Sequence, residues 1–155
     1  MNLSRLELRV PPLLLTAVAA LLAWAAAKLL PAASLPFPGH QVLAAATAVA
    51  GTVFLFGSAL QFRLRRTTLD PRTPDKATHF VARGFYALSR NPMYVGMAAL
   101  LLALALWHAN VAALAVVGGF CAYLTAFQIK PEERALAQRF GAAYLRYKSS
   151  VRRWL

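Results

Sequence analysis

The 155-residue sequence is 59% hydrophobic and only 14% charged, with a mean hydropathy of +0.53, whereas a soluble domain is about half apolar and about a quarter charged. This composition excludes a disordered chain and leaves a water-soluble domain short of polar cover. Seventeen basic against five acidic residues give a formal charge of +12, and the single cysteine, Cys121, excludes an intramolecular disulfide and a thiolate metal cluster. The class is a small integral membrane protein.

A membrane-crossing helix takes about 20 mainly apolar residues, and four stretches answer to that description. The first runs from Val10 to Leu30, uncharged until Lys28, which can snorkel to the interface. Met1 to Arg9 followed by this run resembles a signal peptide, but the run is too long and Trp24 to Leu30 offers no clear cleavage site. The second stretch runs from Gln41 to Phe62 without a charge. The third, Pro92 to Trp107, and the fourth, Val111 to Ile129, are joined only by His108-Ala109-Asn110, which predicts a tight antiparallel hairpin. Small residues (Ala44, Ala48 and Gly51 in the second stretch, Gly118 and Gly119 in the fourth) suit close helix packing. Cys121 reads as a packing residue, and His40 and His108 as structural.

Sixteen of the seventeen basic residues fall on one side of these spans: Arg5 and Arg9 before the first; Arg63, Arg65, Arg66, Arg72, Lys76, Arg83 and Arg90 between the second and third; and seven from Lys130 to Arg153 after the fourth. By the positive-inside rule both termini and the middle loop are expected in the cytoplasm. The charge is thus a topology signal, with attraction to membrane lipids as a by-product, and no motif points to nucleic acid. Glu7, Asp70, Asp75, Glu132 and Glu133 all lie outside the spans, which counts against an ion-coupled transporter.

Two cytoplasmic segments carry the chemistry. In Arg90-Asn91-Pro92-Met93-Tyr94-Val95-Gly96, Asn91 is a good helix N-cap and Pro92 suits the first helical position; the free N–H groups of such a start attract anions. Further on, Lys130-Pro131-Glu132-Glu133 is expected to open a separate amphipathic helix reaching Ser149, with two acids placed to complement its dipole. Helical phase sets Glu133 among Leu136, Phe140, Ala143, Tyr144, Tyr147 and Val151, and Glu132 towards Arg139 and Arg146. A carboxylate on an apolar face needs a cation, so Glu133 is the favoured functional acid and Glu132 the weaker one. The bland reading of this helix is a lipid-surface anchor, and Thr78 to Leu88 reads equally as an interfacial loop. His79 stands alone there and is not expected to act as a base.

At these positions the sequence resembles the integral membrane methyltransferases that include isoprenylcysteine carboxyl methyltransferases and phospholipid methyltransferases. The resemblance rests on Gly84-Phe85-Tyr86, the Arg90-to-Gly96 segment, Glu132-Glu133, and Phe140-Gly141 followed by Tyr144 and Tyr147, in that order around a hairpin. It covers about half the chain, from Thr78 to the C-terminus. The prenylcysteine enzymes generally carry His where this chain has Asn91, and Asn can act as neither a cation nor an ordinary acid or base.

The resemblance implies S-adenosyl-L-methionine as cofactor and a lipophilic acceptor (an isoprenylcysteine-like carboxylate, a thiol or a phospholipid) entering from the bilayer. It implies cofactor binding by Asn91, Pro92, Tyr94, Gly96, Glu132, Glu133 and Tyr144, with Glu133 pairing the cofactor's ammonium. Arg90 is expected to take its carboxylate, and Arg83 or Arg139 to orient the acceptor; these three are the candidate catalytic residues. The expected architecture is all-α: one membrane domain of four transmembrane helices plus the C-terminal amphipathic helix, with residues 1–62 as scaffold and 78–155 as cofactor-binding core. A bacterial inner membrane, with the site facing the cytoplasm, suits the charge bias. The competing reading is a non-catalytic protein of the same fold that docks lipid or a partner. Nothing in the residues names the acceptor or the oligomeric state.

Overall fold

Prolines set the starts of two of the apolar helices, at Pro12 and at Pro92. Helix α1 (Pro12–Leu29) begins at a proline, as does the short 3₁₀ turn Pro31–Ala33 that follows it. Their missing N–H groups fall where a helix has no acceptor to offer. The computed structural model describes residues 7–64 and 82–155; the expectations for Arg5, Arg65, Arg66, Arg72, Lys76, Asp70, Asp75, Thr78 and His79 lie outside them. The remaining helices are α2 (His40–Leu64), the single turn α3 (Phe85–Leu88), α4 (Pro92–Trp107), α5 (Val111–Leu124), α6 (Lys130–Phe140) and α7 (Ala142–Ser150). Among the described residues there is no strand, only an isolated bridge between Ser34 and Asn110.

Three helical stretches are long and apolar enough to cross a membrane: Pro12–Leu29, His40–Leu64 and the continuous run Val111–Phe140. Helix α4 is a shorter apolar helix of 16 residues. It is also the centre of the packing, with α1, α2 and α5 all against it. Many large apolar side chains of α1 and α2 point outwards instead, among them Leu13, Leu21, Trp24, Val42 and Phe56. Such an apolar exterior matches lipid as its solvent rather than water.

Helices α2 and α4 cross where neither has a side chain. A β-carbon on Gly96 would lie 2.6 Å from the Leu55 nitrogen and 2.8 Å from the Gly51 carbonyl oxygen, and one on Gly51 would lie 3.0 Å from the Gly96 carbonyl oxygen. Small residues let helix backbones approach in this way, as expected for Gly51. The same expectation fails at Gly118 and Gly119, whose β-carbon positions have nothing within 4 Å.

The α4–α5 hairpin closes on Asn110. Its side chain accepts from the Ala113 N–H at 3.0 Å, capping α5, and donates at 3.0 Å to both Leu30 O and Ser34 Oγ. Leu35 N–H adds a bond to Ala109 O at 2.7 Å. One buried side chain therefore fixes the hairpin and ties it to the end of α1.

The C-terminal third departs from the sequence expectation twice. Helix α6 does not start afresh; it continues α5 through a π-helical turn over Thr125–Ile129, in which Lys130 N–H reaches Thr125 O. Pro131 explains the wider turn: with no N–H it leaves the carbonyl four residues back unpaired, and its ring crowds that carbonyl. That carbonyl, Phe127 O, instead accepts from Leu8 N–H at 3.0 Å, and Gln128 Nε2 donates to Val10 O at 2.7 Å. The helix then breaks at Gly141, whose φ of +51° favours glycine. One long amphipathic helix thus becomes two.

Candidate functional site

The site forms where the starts of α4 and α6 meet α7 and the C-terminal residues. Its approach is anchored by Gln61, which donates to Arg83 O and accepts from Phe85 N–H at 3.1 Å. Gly84, at φ +62°, passes beneath that amide, where a β-carbon would lie 2.6 Å from Oε1. Phe85 then packs edge-on against Phe54, with ring centroids 5.4 Å apart, and α3 places Tyr86 in the interior.

Ser89, Arg90 and Asn91 come next, and all three are held by the C-terminus. Arg90 N–H donates to Arg152 O at 2.9 Å, Ser89 Oγ to Arg153 O at 3.2 Å, and Asn91 Nδ2 to Arg153 O at 2.9 Å. Asn91 therefore does not cap α4 with its side chain, contrary to the sequence expectation. The C-terminal residues claim its amide first. Arg90 is equally committed: Nη1 donates to Lys148 O at 2.7 Å and Val151 O at 2.9 Å, and Nη2 to Glu133 Oε1 at 2.9 Å. Those bonds face the chain itself and leave only Nε without a partner among the described residues.

Glu133, 5% exposed, is met by cations, but they are the protein's own. Arg153 grips it with a two-pronged fork, Nε to Oε1 at 3.0 Å and Nη2 to Oε2 at 2.9 Å, and Lys148 Nζ lies 3.5 Å from Oε2. With Arg90 this makes three cations around one carboxylate, the arrangement a buried charge requires. The bond to Glu133 in turn raises the Arg153 guanidinium above its ordinary value.

Glu132 is placed differently from its expected position on the polar flank by Arg139 and Arg146. Its Oε1 accepts from the Tyr94 hydroxyl at 2.5 Å, inside the junction of α6 with α4. No salt bridge to it occurs among the described residues. The π turn joins α6 to α5, and this continuous helix carries Glu132 to the start of α4.

Tyrosines complete the cluster. Tyr86, Tyr94, Tyr144 and Tyr147 are all buried. Tyr147 donates to Tyr86 O at 2.6 Å, while the Tyr86 hydroxyl is buried with no partner among the described residues. Burial pushes the hydroxyls of Tyr86, Tyr144 and Tyr147 well above the ordinary tyrosine value; Tyr147 and Glu132 add to the shift at Tyr86, and Glu133 to that at Tyr144.

The structure thus brings together Arg90, Asn91, Pro92, Tyr94, Glu132, Glu133 and Tyr144. Gly96 lies in the α2 crossing, against the backbone of Gly51 and Leu55. Arg83 and Arg139 are exposed, with the Arg139 guanidinium 5.9 Å over the Phe140 ring. Ala143, expected on the apolar face, is exposed because the break at Gly141 resets the phase. Sequence reasoning gave no role to Ser89 or Arg153. For Arg153 the sequence shows only one more basic residue in a basic tail; for Gln128, a lone amide within an apolar run was the available signal.

The profile of the phospholipid methyltransferase family matches residues 40–143, about two thirds of the chain. The chain belongs to that family. The matched stretch takes in α2 through the start of α7, and with it the Arg90–Gly96 segment and both glutamates. The family assignment agrees with the long apolar helices and suggests a membrane methyltransferase. An uncharacterised protein of Haemophilus influenzae is 44% identical over 63 residues, which are 41% of this chain and the whole of that protein. No solved structure matches this phospholipid methyltransferase family member.

Proposed function

We propose that the protein is a membrane-embedded methyltransferase that uses S-adenosyl-L-methionine and acts on a lipophilic acceptor. The observation that carries this reading is the Glu132–Tyr94 pair: a half-buried carboxylate with no salt bridge among the described residues, near the buried Tyr86 hydroxyl, which has no partner among them. Such groups fit a cofactor that brings its own cationic ammonium and further polar groups.

The cofactor supplies, when bound, a methyl group on a sulfonium for in-line displacement. Glu132 pairs with the ammonium, and Tyr94 holds that carboxylate in place. Glu133 keeps the surrounding frame closed through Arg90 and Arg153. Tyr144 and Tyr86 wall the site with aromatic faces suited to a cation, and the buried tyrosines exclude water from the displacement. Asn91 and Pro92 set the start of α4 beside them. Arg83 and Arg139, both exposed cations, orient an anionic acceptor headgroup in this reading.

Helices α1, α2, α4 and the α5 run form four spans, with both termini and the basic middle loop in the cytoplasm, in keeping with the charge asymmetry. The site then opens to the cytoplasm of a bacterial inner membrane, and the acceptor arrives laterally from the lipid. The test is calorimetric binding of S-adenosylhomocysteine to the purified protein in detergent and in lipid nanodiscs. Saturable one-site binding that Glu132→Gln abolishes is the expected result. No binding by folded protein in either medium overturns the reading.

A further inference from the structure

We infer that Arg153 is a positioning residue of this site and that the C-terminal strap it belongs to sets the start of α4. The strap lies beyond the residues matched by the family profile, so its role rests on this chain's own contacts. Carbonyls of Lys148, Val151, Arg152 and Arg153 together accept five hydrogen bonds from Ser89, Arg90 and Asn91. The Arg153 side chain reaches the other way and forks onto Glu133 on α6. Just beyond it, Trp154 donates from Nε1 to Thr125 Oγ1 at 3.2 Å, on the π turn, and packs against the apolar core. One residue thus joins α4, through its carbonyl, to α6, through its guanidinium, and Trp154 pins the far end.

The consequence is geometric. Tyr94 and Glu132 sit on the two elements that Arg153 joins, in the first turn of α4 and at the start of α6. Their mutual placement depends on how firmly those starts are held. Arg153 touches neither of them and acts through Glu133 and Asn91. A planar fork suits this task better than a point charge, but a lysine retains the charge and one bond to Glu133.

The inference uses the methyltransferase reading only to choose its ligand, and the experiment has one arm that needs none. Amide hydrogen exchange across residues 89–96 is measured in the full-length wild type and in the Arg153→Gln and Arg153→Lys variants, in detergent. Faster exchange at Arg90 and the first turn of α4 in Arg153→Gln, largely reversed in Arg153→Lys, is expected. Wild-type exchange in Arg153→Gln, or acceleration spread evenly over α1 to α7, overturns the inference. In the second arm, S-adenosylhomocysteine affinity is expected to fall about tenfold in Arg153→Gln, the worth of one charge-assisted hydrogen bond, and to recover to near wild type in Arg153→Lys. Undiminished affinity in Arg153→Gln overturns the positioning role. A wild type that binds nothing while the exchange arm succeeds counts against the proposed cofactor and leaves the strap standing.

Discussion

The Tyr94 hydroxyl and Glu132 Oε1 are 2.5 Å apart, joining the first turn of α4 to the start of α6. Both residues are presented by elements whose direction is fixed elsewhere: α4 by the glycine crossing with α2, and α6 by the π turn behind Pro131. Removing the hydroxyl strips a half-buried carboxyl of its partner. Tyr94→Phe is expected to cost about 1–3 kcal/mol, read as a lower Tm in detergent with the helical content unchanged.

The two adjacent glutamates should separate cleanly. Glu133→Gln leaves Arg90, 10% exposed in its side chain, facing a neutral amide, and is expected to destabilise by about 3 kcal/mol. Glu132→Gln keeps an acceptor for Tyr94 and removes a charge that no described cation balances. Its Tm is expected to equal or exceed that of the wild type, while S-adenosylhomocysteine binding is lost. Thermal unfolding and calorimetry on the same preparations distinguish the two.

Gly96→Ala tests the helix crossing. The new β-carbon would meet Leu55 and Gly51 backbone atoms, which cannot rotate away, so a loss of about 1–3 kcal/mol is expected. Gly119→Ala meets open space and is expected to leave Tm within about a degree or raise it, since alanine favours helix by up to about 1 kcal/mol. Equal losses in both variants would refute the placement of the crossing.

Asn110→Ala removes the cap on α5 and both bonds to the end of α1. The cap alone is worth about 1 kcal/mol, and the orphaned Leu30 and Ser34 oxygens add to it. Unfolding should report a larger loss than for Asn91→Ala at the α4 start, where no side-chain cap exists.

The buried tyrosines predict a pH dependence. Tyr144 and Tyr147 have folded-state pKa values raised above their unfolded value of about 10, so folding disfavours their ionisation. The stability this represents is complete below pH 10 and declines as the pH rises above it. Tyrosinate absorbance should therefore appear at these two positions together with unfolding rather than before it, as checked against Tyr144→Phe and Tyr147→Phe.

Much of this protein was legible in one dimension. Uninterrupted apolar runs located the helices, because a backbone in lipid must satisfy its own hydrogen bonds, and α4 came out at the expected residues, Pro92 to Trp107. Short-range chemistry also held: Asn110 turns the hairpin, and Gly51 lets α2 approach α4. Tertiary structure decided the site. Helical phase counted from Lys130 placed Glu133, Tyr144 and Tyr147 inside, as found, but gave no sign that a π turn joins α6 to α5 or that Gly141 breaks the helix and exposes Ala143. Glu132 reached Tyr94, and Glu133 was taken by Arg90, Arg153 and Lys148. Asn91 illustrates the same limit: its local preference to cap a helix lost to Arg153, a residue 62 positions away that only the folded chain brings within reach.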